Sequence, residues 1–208
     1  GIRPSKSIVK RPQQILVIKR EYMRRLMNHD QVVQGLREAF PTVKVVEAAL
    51  GTLSLAQQID IISMSTVIIT PPGGISFASL FASDDTSLVN FNYWVPSRRK
   101  SVGMDQYFFQ RIPYLRLFQY PIADVKEIKV ELDTRKYRWN DVRGRDRIDR
   151  VFKLGGSIHV KLERLYPLVY WAMKKLEDDG FAEEFEMNNA LFNALTENGI
   201  ASKSENGT

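Results

Sequence analysis

The chain has no cysteine and only two histidines, His29 and His159. Without thiols there is no disulfide framework and no thiolate nucleophile, which leaves the redox compartment open. Neither histidine has a carboxylate pair at ligand spacing beside it, so a zinc centre and a histidine-based triad are both disfavoured. No run of about eighteen apolar residues occurs, and the first residues lack the apolar core of a signal peptide, so this stretch reads neither as a membrane span nor as a leader. G-x-G-x-x-G and G-x-x-x-x-G-K-[ST] are absent, which argues against a nicotinamide fingerprint and a P-loop. Asp-x-Asp is absent too.

What is present suffices for a core: 44% of the 208 residues are hydrophobic and 11% aromatic. The net charge of +6 is unevenly spread. Seven basic residues lie between Arg135 and Arg150 against three aspartates, whereas Glu177 to Thr208 carries eight acidic side chains and one lysine. The positive excess therefore faces either an anionic partner or the acidic tail. Only Tyr137 and Trp139 interrupt the basic stretch as stacking aromatics, and no recognition motif accompanies it, so nucleic acid is not an expected partner.

Along the chain, residues 1–14 read as an irregular lead-in, 15–196 as one domain, and 197–208 as a disordered tail. Ile15 to Lys19 is a short β-branched run of the kind that forms a buried parallel strand. Asn28 is placed to cap a helix with Val32, Val33, Leu36 and Phe40 on one face, stopped by Pro41. Val43 to Glu47 is the next strand, and Ser54 caps a helix with Leu55, Ile59 and Ile62 on its apolar side. Val67 to Ile69 is a third strand, Ser87 to Phe91 a fourth, and Tyr114 to Tyr120 a candidate fifth. Residues 157–177 are predicted helical, with Pro167 expected to kink or split the helix, and Glu183 to Leu195 is a further helix. The alternation predicts an α/β fold, a Rossmann-like doubly wound parallel sheet. Right-handed crossovers then bring the strand-end loops to one edge, where Arg20, Pro72 to Ser76 and Asn92 line a common cleft.

The loop after the third strand, Pro71-Pro72-Gly73-Gly74, runs into a small-residue helix start, a place where backbone N–H groups face an anion. Arg20 and Arg24 lie over the same edge, and planar guanidinium forks suit a diphosphate. Taken alone, Lys19 to Arg25 reads more readily as a solvated charged loop with Asn28 as a cap. Ser76 and Ser79 serve either phosphate oxygens or the helix start, and Tyr93 and Trp94 either stack on a base or fill the core.

In this order of residues, Ile15 to Tyr93 resembles the carboxyl-terminal nucleotide-binding half of family-61 glycosyltransferases, the group that includes the EGF-domain O-GlcNAc transferase and the protein O-mannose GlcNAc transferase. The matching series is Arg20, Arg24 and Asn28 at a spacing of four, the Ala56-Gln57-Gln58-Ile59 helix, and the glycine-rich loop. Pro71 to Gly74 stands where relatives commonly carry His-Gly-Ala-Gly, and Asn90 where they carry Glu. The resemblance implies the carboxyl-terminal half of a GT-B enzyme that transfers a sugar, without a metal cofactor, from a nucleotide-sugar donor (UDP-linked) to a glycan or protein acceptor. It implies donor contacts from Arg20, Arg24, Asn28, Gly73, Gly74, Ile75, Ser76, Asn92 and Tyr93. No catalytic residue is assigned: the general base is expected in an amino-terminal domain outside this chain. The compartment implied is the secretory pathway, Golgi or endoplasmic reticulum lumen. The alternative is a non-catalytic Rossmann-like module that docks an anionic partner through its basic arm.

Overall fold

The computed structural model describes residues 10–95, 100–101, 104–122, 124–130 and 155–197. The basic stretch Arg135 to Arg150, most of the lead-in and residues 198–208 lie outside the described residues. No described helix is long and apolar enough to cross a membrane.

Five parallel strands make the centre: β1 (Gln14–Ile18), β2 (Lys44–Ala48), β3 (Val67–Thr70), β4 (Thr86–Val95) and, after the two-residue β5 (Lys100–Ser101), β6 (Leu115–Ile122). Their order across the sheet is β2-β1-β3-β4-β6, and β5 adds an antiparallel pair at the far end of β4. Each strand alternates its apolar residues between two cores. Ile15, Val17, Val67, Ile69, Val89 and Phe91 face one side, and Leu16, Ile18, Ile68 and Leu88 the other. A β-branched strand buried on both faces is the expected outcome for a parallel sheet covered twice. The α/β, Rossmann-like expectation is therefore met.

On the first side pack α1 (His29–Ala39) and the long helix α4 (Leu162–Asp178); on the second, α2 (Leu55–Ser63), a 3₁₀ helix at Gly74–Phe81, and the short α3 (Asp105–Phe109). Ser54 caps α2 as expected: its hydroxyl accepts from Gln57 N, and Gln57 Oε1 accepts from Ser54 N. Leu55, expected in that helix's apolar face, is instead exposed, and Ile62 is the buried residue of the helix.

Two helices differ from expectation. Pro167 does not divide α4. A proline inside a helix costs about 3 kcal/mol, but Leu165, Val169, Met173 and Leu176 are all fully buried on the sheet, each contributing about 1.5–3 kcal/mol. Residues 157–161, predicted helical, lie outside the helix: β8 (Ser157–Ile158) pairs antiparallel with β7 (Ile128–Lys129), and irregular backbone leads from it to α4. The last helix, α5 (Asn189–Glu197), starts six residues later than predicted. Backbone groups of the preceding segment are taken elsewhere: Glu183 N bonds Arg11 O, Glu186 N bonds Thr42 Oγ1, and Asn188 N bonds Ala39 O.

Candidate functional site

The sheet order reverses direction between β1 and β3. From β1 the chain steps outward to β2, whereas β3 continues through β4 to β6 on the other side. In open α/β sheets the crevice beyond the carboxyl ends of the two strands at such a reversal is where ligands bind. Arg20 follows β1 and Pro71 to Gly73 follow β3, so both lie at this crevice, and Arg20 Nη1 donates to Pro72 O across it at 3.0 Å.

Gly73 has φ +103° and ψ −167°, a conformation open essentially to glycine alone. The missing side chain also makes room. A Cβ there would lie 2.9 Å from Arg24 Nη1 and 3.1 Å from Arg20 Nη1, so two guanidinium groups converge on one glycine. Burial lowers the Arg20 pKa and the Arg24 charge lowers it further, opposed by Tyr93 and Asp105. Like charges held this close repel unless an anion joins them.

Arg24 itself has φ +63°, an uncommon conformation for a side chain of this kind. Its loop is held there by a distant segment. Arg24 N bonds Gly155 O, Ile158 N bonds Arg25 O, and Met27 N bonds Ile158 O. Gly155 also has positive φ, +72°, and a Cβ there would lie 2.7 Å from Met23 Sδ. The arginine loop is thus a short strand-like stretch laid on residues 155–158.

The Gly73 loop has an internal acidic partner. Gly73 N donates to Asp105 Oδ2 at 2.7 Å, and Ser76 Oγ lies 2.8 Å from both Asp105 Oδ2 and Gly73 O. Ser76 is fully buried and Asp105 is 6% exposed. Gly74 is exposed and Ile75 half-buried at the start of the 3₁₀ helix. Of the loop residues expected at the donor, only Gly74 is exposed; Ile75 packs against the second core, while Gly73 N and the Ser76 hydroxyl lie against Asp105.

Asn92 and Tyr93, expected in a loop beyond the fourth strand, lie within β4 and are buried. Asn92 Nδ2 donates to Gln106 and Gln119, and Tyr93 Oη donates to Gly156 O at 2.6 Å. Burial raises the Tyr93 pKa, the two arginines pulling the other way. Tyr93 is a neutral phenol beneath the guanidinium pair rather than a stacking surface.

Asn28 stands at the cap position of α1, but its side chain makes no cap bond. Instead Nδ2 donates to Val160 O at 2.8 Å and Oδ1 accepts from Val160 N at 2.9 Å. This pair fastens the arginine loop to the segment after β8. Asn28→Ala leaves both Val160 groups without that partner and should cost about 1–3 kcal/mol, measured by urea unfolding; unchanged stability would contradict the clamp.

A cleft of about 580 Å³ opens beside the arginine loop, with Lys19, Arg20, Asn28, His29 and His159 among its walls. The glycines of the β3 loop are not part of it. Within it His29 Nε2 lies 3.0 Å from Glu47 Oε2. Asp30 completes a group of three possible ligands, but Lys19 Nζ stands 4.0 Å from its carboxylate.

Asp105, Gly155 and the 157–160 segment are the parts that sequence reasoning missed. A lone aspartate before Gln-Tyr-Phe-Phe carries no motif, and Gly155 contacts the arginine loop only through the fold. Residues 2–89 match the family described as Glycosyltransferase 61. The match bears out the resemblance of this segment to family-61 glycosyltransferases, and with it glycosyl transfer in general. No curated protein matches the chain.

Proposed function

With a glycosyltransferase 61 segment over residues 2–89 as the premise, we propose that the chain binds a nucleotide-sugar donor, UDP-linked, by its diphosphate at the β1–β3 crevice, and supplies the donor half of an inverting transfer to a glycan or protein acceptor. The observation that supports this is the convergence of Arg20 and Arg24 on Gly73. A diphosphate matches the planar forks of two guanidinium groups that converge on one point. In the transfer the sugar–phosphate bond breaks and negative charge grows on the departing nucleoside diphosphate. Cations already in place stabilise that charge without reorganising at the moment of reaction. Gly74 and Ile75, at the start of the 3₁₀ helix, add backbone N–H donors to the same anion. The setting in this reading is a secretory compartment.

The test is calorimetric titration of UDP into the chain. Arg20→Ala should weaken binding about tenfold or more, since a charged hydrogen bond contributes about 1.5–3 kcal/mol. Unchanged affinity would remove Arg20 from the site. In this reading the arginines carry the role of a divalent cation, so the same titration in EDTA should give the same affinity. A protein stabilised by heparin but not by UDP, with the shift lost at modest salt, would favour the non-catalytic module instead.

A further inference from the structure

The donors at the Gly73 loop are not vacant: they already hold a carboxylate. Asp105 Oδ2 accepts the Gly73 N–H at 2.7 Å and lies 2.8 Å from the Ser76 hydroxyl. The aspartate is 6% exposed and contributes to the electrostatic balance of Arg20. A backbone N–H at a left-handed glycine, a hydroxyl at a helix start and neighbouring guanidinium groups form a donor set that would serve a phosphate oxygen as well as a carboxylate oxygen. The element that delivers Asp105 is slight. Helix α3 spans five residues, and of the apolar residues at its start and along it, Met104 is 79% exposed and Tyr107 50%, whereas Phe109 is fully buried. The helix is further held by Phe108 and Phe109 against Phe77 of the 3₁₀ helix, centroids 4.8 and 5.6 Å apart, and by Gln106, which accepts from Asn92 Nδ2 at 2.9 Å.

We propose that Asp105 occupies the phosphate position of the Gly73 loop, so that this structure is a self-ligated closed state and α3 must withdraw for a donor diphosphate to seat. The inference rests on the donor-binding reading above. With the carboxylate in place the guanidinium pair faces an internal anion. When a diphosphate enters, the two anions would share one set of donors, and the weaker-charged one leaves. Binding is then reduced by the fraction of molecules in which α3 is closed. Asp105 is a gating residue in this scheme, and it touches the ligand site only when the ligand is absent.

The test compares UDP binding by the wild-type chain and by Asp105→Asn, which keeps the side chain's volume and an acceptor for Gly73 N–H while removing the charge. The expected result is tighter binding by the variant, at least about threefold, since the closed state no longer competes as well. A strut that merely shapes the loop gives the opposite, weaker binding or none; weaker or equal binding by the variant overturns the inference and leaves the donor reading standing. Absence of UDP binding by both proteins overturns the two together. Should the variant fold poorly, hydrogen exchange on the wild-type chain decides. UDP should speed exchange of the 105–109 amides while slowing that of 74–76. Slowed or unchanged exchange at 105–109 contradicts withdrawal.

Discussion

Gly73→Ala is expected to destabilise the fold by about 1–3 kcal/mol, the range for a residue held in a sparsely populated backbone region, and to abolish measurable UDP binding. Two effects act at once. The backbone at φ +103° is strained for any residue with a Cβ, and that Cβ would enter the space of Arg24 Nη1 and Arg20 Nη1. The steric part is the cheaper one, because both contacts are ends of flexible side chains that can swing aside. Swinging aside, however, separates the two guanidinium groups, and a diphosphate then meets them one at a time. Gly74→Ala is the matched control. Its Cβ would meet nothing within 4 Å and its φ is not in the left-handed region, so its stability should stay within the few tenths usual for a surface change. Urea unfolding and calorimetry on both variants make the comparison; equal behaviour of the two would refute the role given to Gly73.

Arg164→Ala should have the larger effect on stability, about 2–4 kcal/mol, seen as a melting temperature lower by about 5–15 °C. Glu127 is 4% exposed and takes Arg164 Nη1 at 2.8 Å and Lys161 Nζ at 3.1 Å. Its Oε2 is buried without a hydrogen bond among the described residues. Removing Arg164 leaves that carboxylate to a half-exposed lysine, and an under-compensated buried charge is what makes such losses large. The arginine also lies over the Tyr120 ring, 4.6 Å from its centroid, and donates to Pro121 O. Because His159 N bonds Glu127 O and Ile158 N bonds Arg25 O, this network stands behind the arginine loop. Arg164→Ala should therefore weaken UDP binding as well, by loosening the loop rather than by removing a contact. A Glu127→Gln/Arg164→Ala double variant, which removes the stranded charge, should recover part of the lost stability. If the double variant is no better than Arg164→Ala, desolvated charge is not the cause.

The sheet and the lining of its crevice were readable because their signals are local. Ile15 to Ile18 and Val67 to Ile69 are β-branched runs bounded by polar or breaking residues, and α1 repeats its apolar residues on one face before Pro41. Position in a βαβ series then places Arg20 and Gly73 on the same edge without any knowledge of side-chain contacts. Family resemblance and the observed match over residues 2–89 agree on the same segment. Asn28 shows where local signals mislead. As an asparagine before a helix it has the chemistry of a cap, yet its amide is committed to Val160, which is 132 residues away.

By itself the sequence determined the α/β alternation, the β1 to β4 strands, the glycine-rich turn and the resemblance to family 61 that the match over residues 2–89 supports. Each of these rests on periodicity or on neighbours within a few positions. Tertiary structure alone decided that Asp105 fills the Gly73 loop, that Asn92 and Tyr93 are buried strand residues, and that Arg24 is held at positive φ by the 155–158 segment. Those outcomes depend on contacts between residues far apart in the chain, where the loss of conformational freedom is offset only once the sheet has formed. Pro167 belongs with them: its helix persists because the buried side chains around it contribute more than the missing N–H costs.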